Sequence, residues 1–92
     1  DRGPKTPVHV LVIPKGAYID MDDFAANADA AEIGNFFAKV GEIARTLGVH
    51  ESGYRMLTNN GENAGQIVPH FHVHIMGGKR IEEGSMARGM QS

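Results

Sequence analysis

Histidine stands at alternate positions 70, 72 and 74 of a 92-residue chain that holds five histidines in all. On a β-strand, successive side chains point to opposite faces. His70, His72 and His74 would then share one surface while Phe71, Val73 and Ile75 share the other. The imidazoles would follow one another at about 6.5–7 Å along the strand. The apolar face can bury against a core, leaving a row of groups able to donate, accept or carry charge near neutral pH. An imidazole with an ordinary pKa of about 6.5 is largely neutral at pH 7 and nucleophilic in that form. His72, flanked by an imidazole on each side, is the best nucleophile candidate. A metal site is the other chemistry open to such a row. However, three alternating histidines on one strand are poorly placed for a tetrahedral ion without a fourth ligand from elsewhere.

These residues need elements to hold them. Residues 8–13 are rich in β-branched side chains and stop at Pro14, which predicts a strand. Asp29-Ala30-Ala31-Glu32 has the spacing of a helix N-cap with a reciprocal glutamate. After it, Ile33, Phe37, Val40, Ala44 and Leu47 recur at helical intervals until Gly48 supplies the stop. Gly34 and Gly41 each weaken that helix by roughly 1 kcal/mol relative to alanine, or serve close packing. Residues 54–59 read as a second strand, 60–65 as a glycine- and asparagine-rich loop, and 68–76 as a third strand ended by Gly77-Gly78. Residues 14–28 read as a loop. Residues 79–92, with Met86 and Met90, lack periodicity and read as a tail. The expectation is an α+β domain over 1–78, with an antiparallel sheet and one main helix.

Composition narrows the functions. A net charge of −2 argues against a general nucleic-acid surface. The absence of cysteine removes disulfides and thiolate metal sites, and fits a cytoplasmic protein. No apolar run is long enough to span a bilayer, and no signal-peptide pattern opens the chain. A domain this small buries a modest core, so a partner subunit is expected. The abrupt opening, Asp1-Arg2-Gly3-Pro4, suggests missing upstream residues. His50, after the helix end, and Lys15, after the first strand, read as surface groups.

The stretch Gly65-Gln66-Ile67-Val68-Pro69-His70-Phe71-His72-Val73-His74-Ile75-Met76 resembles the signature of the histidine triad proteins. Residues 9–15, ending in Pro14-Lys15, and 54–61, from Tyr54 to Gly61, resemble the family's preceding strands. Gly77-Gly78 is similar to its nucleotide-binding, purine nucleoside phosphoramidase branch. The resemblance implies that His72 attacks the α-phosphorus of a purine nucleotide or nucleoside phosphoramidate. It assigns the carbonyl that holds the nucleophile's Nδ1–H to His70, and a phosphate-donating role to His74. It places His9 beside the triad, where it orients a partner imidazole. It further implies nucleotide contacts from Asn59, Gly65, Gln66 and the backbone of Ile67, and a ribose contact from Asp1. No metal or other cofactor is implied, and a homodimer is. If His9 faces the site, Leu11 and Ile13 share its face and can wall a base pocket.

Two features depart from the family pattern. Ile67 stands where a serine or threonine hydroxyl commonly contacts the leaving group. The strand and helix that precede the residue matching Asp1 are missing from the chain. An alternative function is a nucleotide-binding regulatory protein with weak or vestigial catalysis, and Ile67 keeps it open.

Overall fold

The computed structural model describes residues 7–81. Asp1 and the tail beyond Ile81, with Met86 and Met90, therefore lie outside the described residues. The elements run β1 (Val8–Val12), α1 (Met21–Asn27), α2 (Ala30–Thr46), β2 (Tyr54–Leu57), a 3-10 turn (Glu62–Ala64) and β3 (Val73–Gly77). The strands form one antiparallel sheet in the order β1-β3-β2, with β3 in the centre. In register, Val10 faces Ile75 and Leu11 faces His74 on one side. On the other side Met56 faces Ile75 and Leu57 faces His74.

Alternation then sorts the two faces. Val12, Val73 and Ile75 join Phe71 and the α2 residues Phe36, Val40 and Ala44 in the main core. His9, Leu11, His74 and Met76 stand on the opposite face by the same register. The α2 N-cap is half of the expected reciprocal arrangement. The Asp29 carboxylate accepts from the Glu32 backbone N–H at 2.8 Å, but the Glu32 carboxylate accepts from the Tyr18 hydroxyl at 2.8 Å. The buried line on α2 is 36–40–44, one residue before the expected Phe37, which is half-buried; Leu47 is exposed. Adding i+4 from Val40 in both directions gives that line, so Phe36 rather than Phe37 points straight into the core.

The largest correction is α1, which lies in the stretch expected to be a loop. Asp20 caps it by accepting from the Asp23 backbone N–H at 2.8 Å, and the Asp23 carboxylate reaches back to the Ile19 N–H at 2.9 Å. Two carboxylates three residues apart thus satisfy donors at one helix start, which is the capping-box signal with aspartate in place of glutamate. The helix delivers Phe24, fully buried, onto Phe71 with ring centroids 4.8 Å apart.

The third strand is also shorter than expected, since pairing begins at Val73 rather than 68. Pro69 has no N–H to offer a ladder, and the His70 N–H turns back to the Val68 carbonyl at 2.8 Å. The strand expected over 54–59 likewise ends at Leu57.

Candidate functional site

The row of imidazoles runs across the sheet as well as along it. His72 and His74 lie with ring centroids 5.2 Å apart, edge to face, and His74 and His9 are likewise 5.2 Å apart. His9 reaches the group because β1 is the direct neighbour of β3. His72 and His74 are both buried, whereas Leu11 and Ile13 on β1 and just beyond it remain about half exposed, at 52% and 51%. Leu11 stands directly across from His74. An open apolar surface therefore adjoins a sequestered pair of imidazoles.

Hydrogen bonds constrain where the protons sit. His72 Nδ1 is 2.7 Å from the His70 carbonyl oxygen. A carbonyl only accepts, so Nδ1 carries the proton and the neutral ring keeps its lone pair at Nε2. His9 Nε2 is 2.9 Å from His74 Nδ1, and one of these two nitrogens must donate. If His9 donates, His74 holds its own proton at Nε2 and can present it to an anion. His70 contributes its carbonyl to this network; its Nε2 is buried with no hydrogen-bond partner among the described residues. His70 is thus off the ladder that carries His74, and the even row of three imidazoles on one strand is not formed.

The loop before the triad is held by its own side chains. Gly65 ends the 3-10 turn in the left-handed region at φ 81°, a conformation that costs glycine nothing and other residues much more. Gln66 was expected to offer its amide to a phosphate. Instead its Oε1 accepts from the Gly61 N–H at 2.7 Å, and its Nε2 donates to the Ile19 and Val68 carbonyls at 2.7 and 3.0 Å. Both donors and the acceptor are spent on backbone, so Gln66 is a clamp on the loop. Asn60 ties the same loop to α1, its side-chain oxygen accepting from the Asp22 N–H at 2.7 Å. Ile67 is 68% exposed and offers no polar group beyond its backbone. Asn59 follows Thr58, whose hydroxyl binds the His72 carbonyl at 2.7 Å. Asn59 is therefore next in the chain to a residue that touches the triad.

Residues that sequence reasoning missed support the triad from behind. The Tyr18 carbonyl accepts from the Phe71 N–H at 2.7 Å, between His70 and His72. The Tyr18 hydroxyl, hydrogen-bonded to the Glu32 carboxylate and partly desolvated, is raised above the usual phenol pKa. A Cβ at Gly16 would fall 2.6 Å from the Tyr18 ring and 2.9 Å from the Glu32 carboxylate, so only glycine leaves that pair undisturbed. Only the α2 cap at Asp29 hinted at this corner, and it gave no sign that Tyr18 would meet Glu32. Among the described residues no group of three or more histidine or acidic side chains is arranged to hold a metal ion. His50 and Lys15 are exposed. No helix among the described residues is long and apolar enough to cross a membrane.

Comparison with known proteins decides the family. The HIT domain model matches residues 1–81. The chain belongs to the HIT family. A 13.2 kDa HIT-like protein of Azospirillum brasilense is 57% identical over 81 residues, covering 88% of this chain and 66% of that one. The purine nucleoside phosphoramidase of Escherichia coli is 34% identical over 81 residues, covering 88% of this chain and 67% of the enzyme. The chain thus spans about two thirds of the length of these HIT relatives. Among solved structures, a HIT family hydrolase from Legionella pneumophila superimposes with a TM-score of 0.79 at 31% identity, over 91% of this chain and 74% of that one. A HIT family hydrolase from Clostridium thermocellum gives a TM-score of 0.76 at 36% identity, over 89% and 70%. The α+β arrangement with an antiparallel sheet is that of the HIT fold.

Proposed function

We propose that this HIT domain belongs to a nucleotide hydrolase that cleaves at the α-phosphate of purine nucleoside phosphoramidates or related nucleotides, without a metal ion. The observation that carries the proposal is the His72 tautomer. With Nδ1–H committed to the His70 carbonyl at 2.7 Å, the Nε2 lone pair is the ring's nucleophilic atom. His72 Nε2 attacks the α-phosphorus, the bond from phosphorus to the leaving nitrogen breaks, and the amine departs with a proton taken from solvent. Water then cleaves the nucleotidyl–imidazole bond and releases the nucleoside monophosphate. His74, oriented by His9 at 2.9 Å, donates from Nε2 to a phosphate oxygen as charge builds there. The backbone N–H of Ile67, together with Asn59, is assigned to the phosphate, Leu11 and Ile13 to the base, and Asp1 to the ribose. The Gly65 N–H is held by the Glu62 carbonyl at 3.0 Å, so Gly65 contributes room for close approach. The name of the E. coli relative, a purine nucleoside phosphoramidase, supports the substrate class. Incubating the protein with adenosine 5′-phosphoramidate in the presence of EDTA tests the proposal. Release of AMP is the expected result, and an inert protein that still binds AMP would favour a regulatory nucleotide-binding role instead.

Ile67 is what gives that second reading weight, and it is separately testable. A donor near the leaving group matters most where the departing atom is basic. Ile67→Ser should therefore raise turnover about tenfold on alkylamine phosphoramidates and change arylamine substrates little. Equal effects on both classes would show that leaving-group protonation is not limited at this position.

The reading includes a cytoplasmic homodimer. Tyr54 and Met56 lie on edge strand β2, and the Met56–Ile75 register puts them on the helix side of the sheet, yet they are 41% and 49% exposed. Gly34 and Gly41 on α2 have little around them; a Cβ at Gly34 would meet nothing within 4 Å, and one at Gly41 only the tip of Arg45. An edge strand with one neighbour among the described residues, and a helix whose glycines leave open space, suit a two-fold contact in which both repeat. Met56→Lys should shift the mass measured by light scattering from dimer to monomer. A wild-type protein already monomeric at high concentration would end the dimer proposal.

A further inference from the structure

Residues 70–72 carry the proposed nucleophile but lie outside the sheet ladder, which begins at Val73. Their backbone is held by three substitute hydrogen bonds. The His70 N–H binds the Val68 carbonyl at 2.8 Å, the Phe71 N–H binds the Tyr18 carbonyl at 2.7 Å, and the His72 carbonyl accepts from Thr58 Oγ1 at 2.7 Å. The first two are backbone to backbone and indifferent to the side chains involved. Only the third depends on residue type. β2 has already left the ladder after the Leu57–His74 pair, and the Thr58 hydroxyl bridges the gap its backbone no longer spans. Valine has the same shape and an equal preference for strands, so the hydroxyl is what this position adds.

We propose that Thr58 is a positioning residue that fixes His72 for attack. The bond to its carbonyl sets the peptide plane that follows His72, while the bond from the Phe71 N–H to Tyr18 sets the His70–Phe71 plane, which carries the carbonyl that accepts from His72 Nδ1. With both planes held, the ring is confined where Nδ1 meets the His70 carbonyl and the ring edge meets His74, 5.2 Å away between centroids. Without the hydroxyl the peptide plane after His72 loses one of its holds, and the fraction of molecules with Nε2 aligned on the phosphorus falls. The inference rests on His72 being the nucleophile of the proposed reaction, but the geometry it predicts is measurable without turnover.

Thr58→Val and Thr58→Ser separate positioning from plain structural support. Thr58→Val should lower kcat by between about tenfold and a hundredfold while KM stays within about twofold, because alignment rather than ground-state binding is lost. Thr58→Ser, which restores the donor, should recover kcat to within about threefold of wild type. In parallel, the proton resonance of His72 Nδ1–H, sharp when protected by the His70 carbonyl, should broaden in Thr58→Val and return in Thr58→Ser. If Thr58→Val does not fold, Thr58→Ala takes its place in both measurements. An unchanged kcat with an unchanged Nδ1–H resonance overturns the proposal, as does a loss of activity that only follows the folded fraction. An inert wild type whose Nδ1–H resonance still depends on the Thr58 hydroxyl would leave the positioning role standing and remove the proposed reaction. An inert wild type with a resonance insensitive to Thr58 would remove both.

Discussion

His72→Ala is expected to abolish turnover of a nucleoside phosphoramidate, by about 10⁴-fold or more, and to abolish a covalent adduct that the wild-type protein forms. The adduct is best trapped by quenching in base, since phosphorus–imidazole bonds are acid-labile. Intact mass should rise by one nucleotidyl group, and peptide mapping should place it on His72 rather than His70 or His74. Binding of AMP should survive, because the Ile67 backbone donor and the Asn59 side chain assigned to the phosphate are untouched. His74→Ala makes the informative contrast. It removes a donor to developing charge while leaving the nucleophile, so a slowing of about 10²–10³-fold with the adduct still detectable is expected. The physical basis is the asymmetry between two neighbouring imidazoles. His72 faces a carbonyl through Nδ1, while His74 faces another imidazole, His9, through its own Nδ1. An adduct on His74, or full activity in His72→Ala, would reverse or end this assignment.

Phe24→Ala is expected to cost about 3–5 kcal/mol of stability, read as a lowered urea midpoint at fixed protein concentration. Phe24 is fully buried and touches three other aromatic rings within 5.3 Å: Phe71 stacked at 4.8 Å, Tyr18 edge-on at 5.1 Å and Phe36 edge-on at 5.3 Å. Its removal leaves a cavity directly behind the segment that carries His70 and His72, because Phe71 is the residue between them. A domain of this size has of order 5–10 kcal/mol in total, so the variant should stand near the limit of folding. Phe24→Leu should retain most of the stability, since it keeps an apolar group in the gap. A midpoint unmoved by Phe24→Ala would mean that α1 does not hold the triad from behind.

Sequence alone carried the parts of this protein that depend on local periodicity. Alternation across residues 70–76 already separated Phe71, Val73 and Ile75 from the histidines, and the core contains all three. The cap at Asp29 and the spacing of Ile33, Val40 and Ala44 located α2, because a helix start and an apolar stripe are both written within a few residues. The signature around the triad was enough to resemble the family to which the chain belongs. What remained hidden involves partners distant in the chain. Tyr18 and Glu32 meet across 14 positions, Thr58 and His72 across another 14, and Gln66 and Ile19 across 47. The α1 helix was missed although Asp20 and Asp23 announce it, since its seven residues, about two turns, show too little apolar periodicity for the pattern to register.

The tertiary structure also decided where the strand pattern stops. The alternation of histidines runs evenly from 70 to 74, yet the ladder starts only at Val73, because Pro69 removes a donor and Tyr18 and Thr58 supply bonds in place of strands. A hydrogen bond between remote residues depends on how the elements pack, which is a property of the whole chain. The residues able to do chemistry were therefore legible in their own spacing. The resemblance implied the His70 carbonyl for His72 Nδ1 and a partner imidazole for His9, but periodicity did not, because the contacts at 2.7 Å and between His74 and His9 at 2.9 Å depend on how the chain folds.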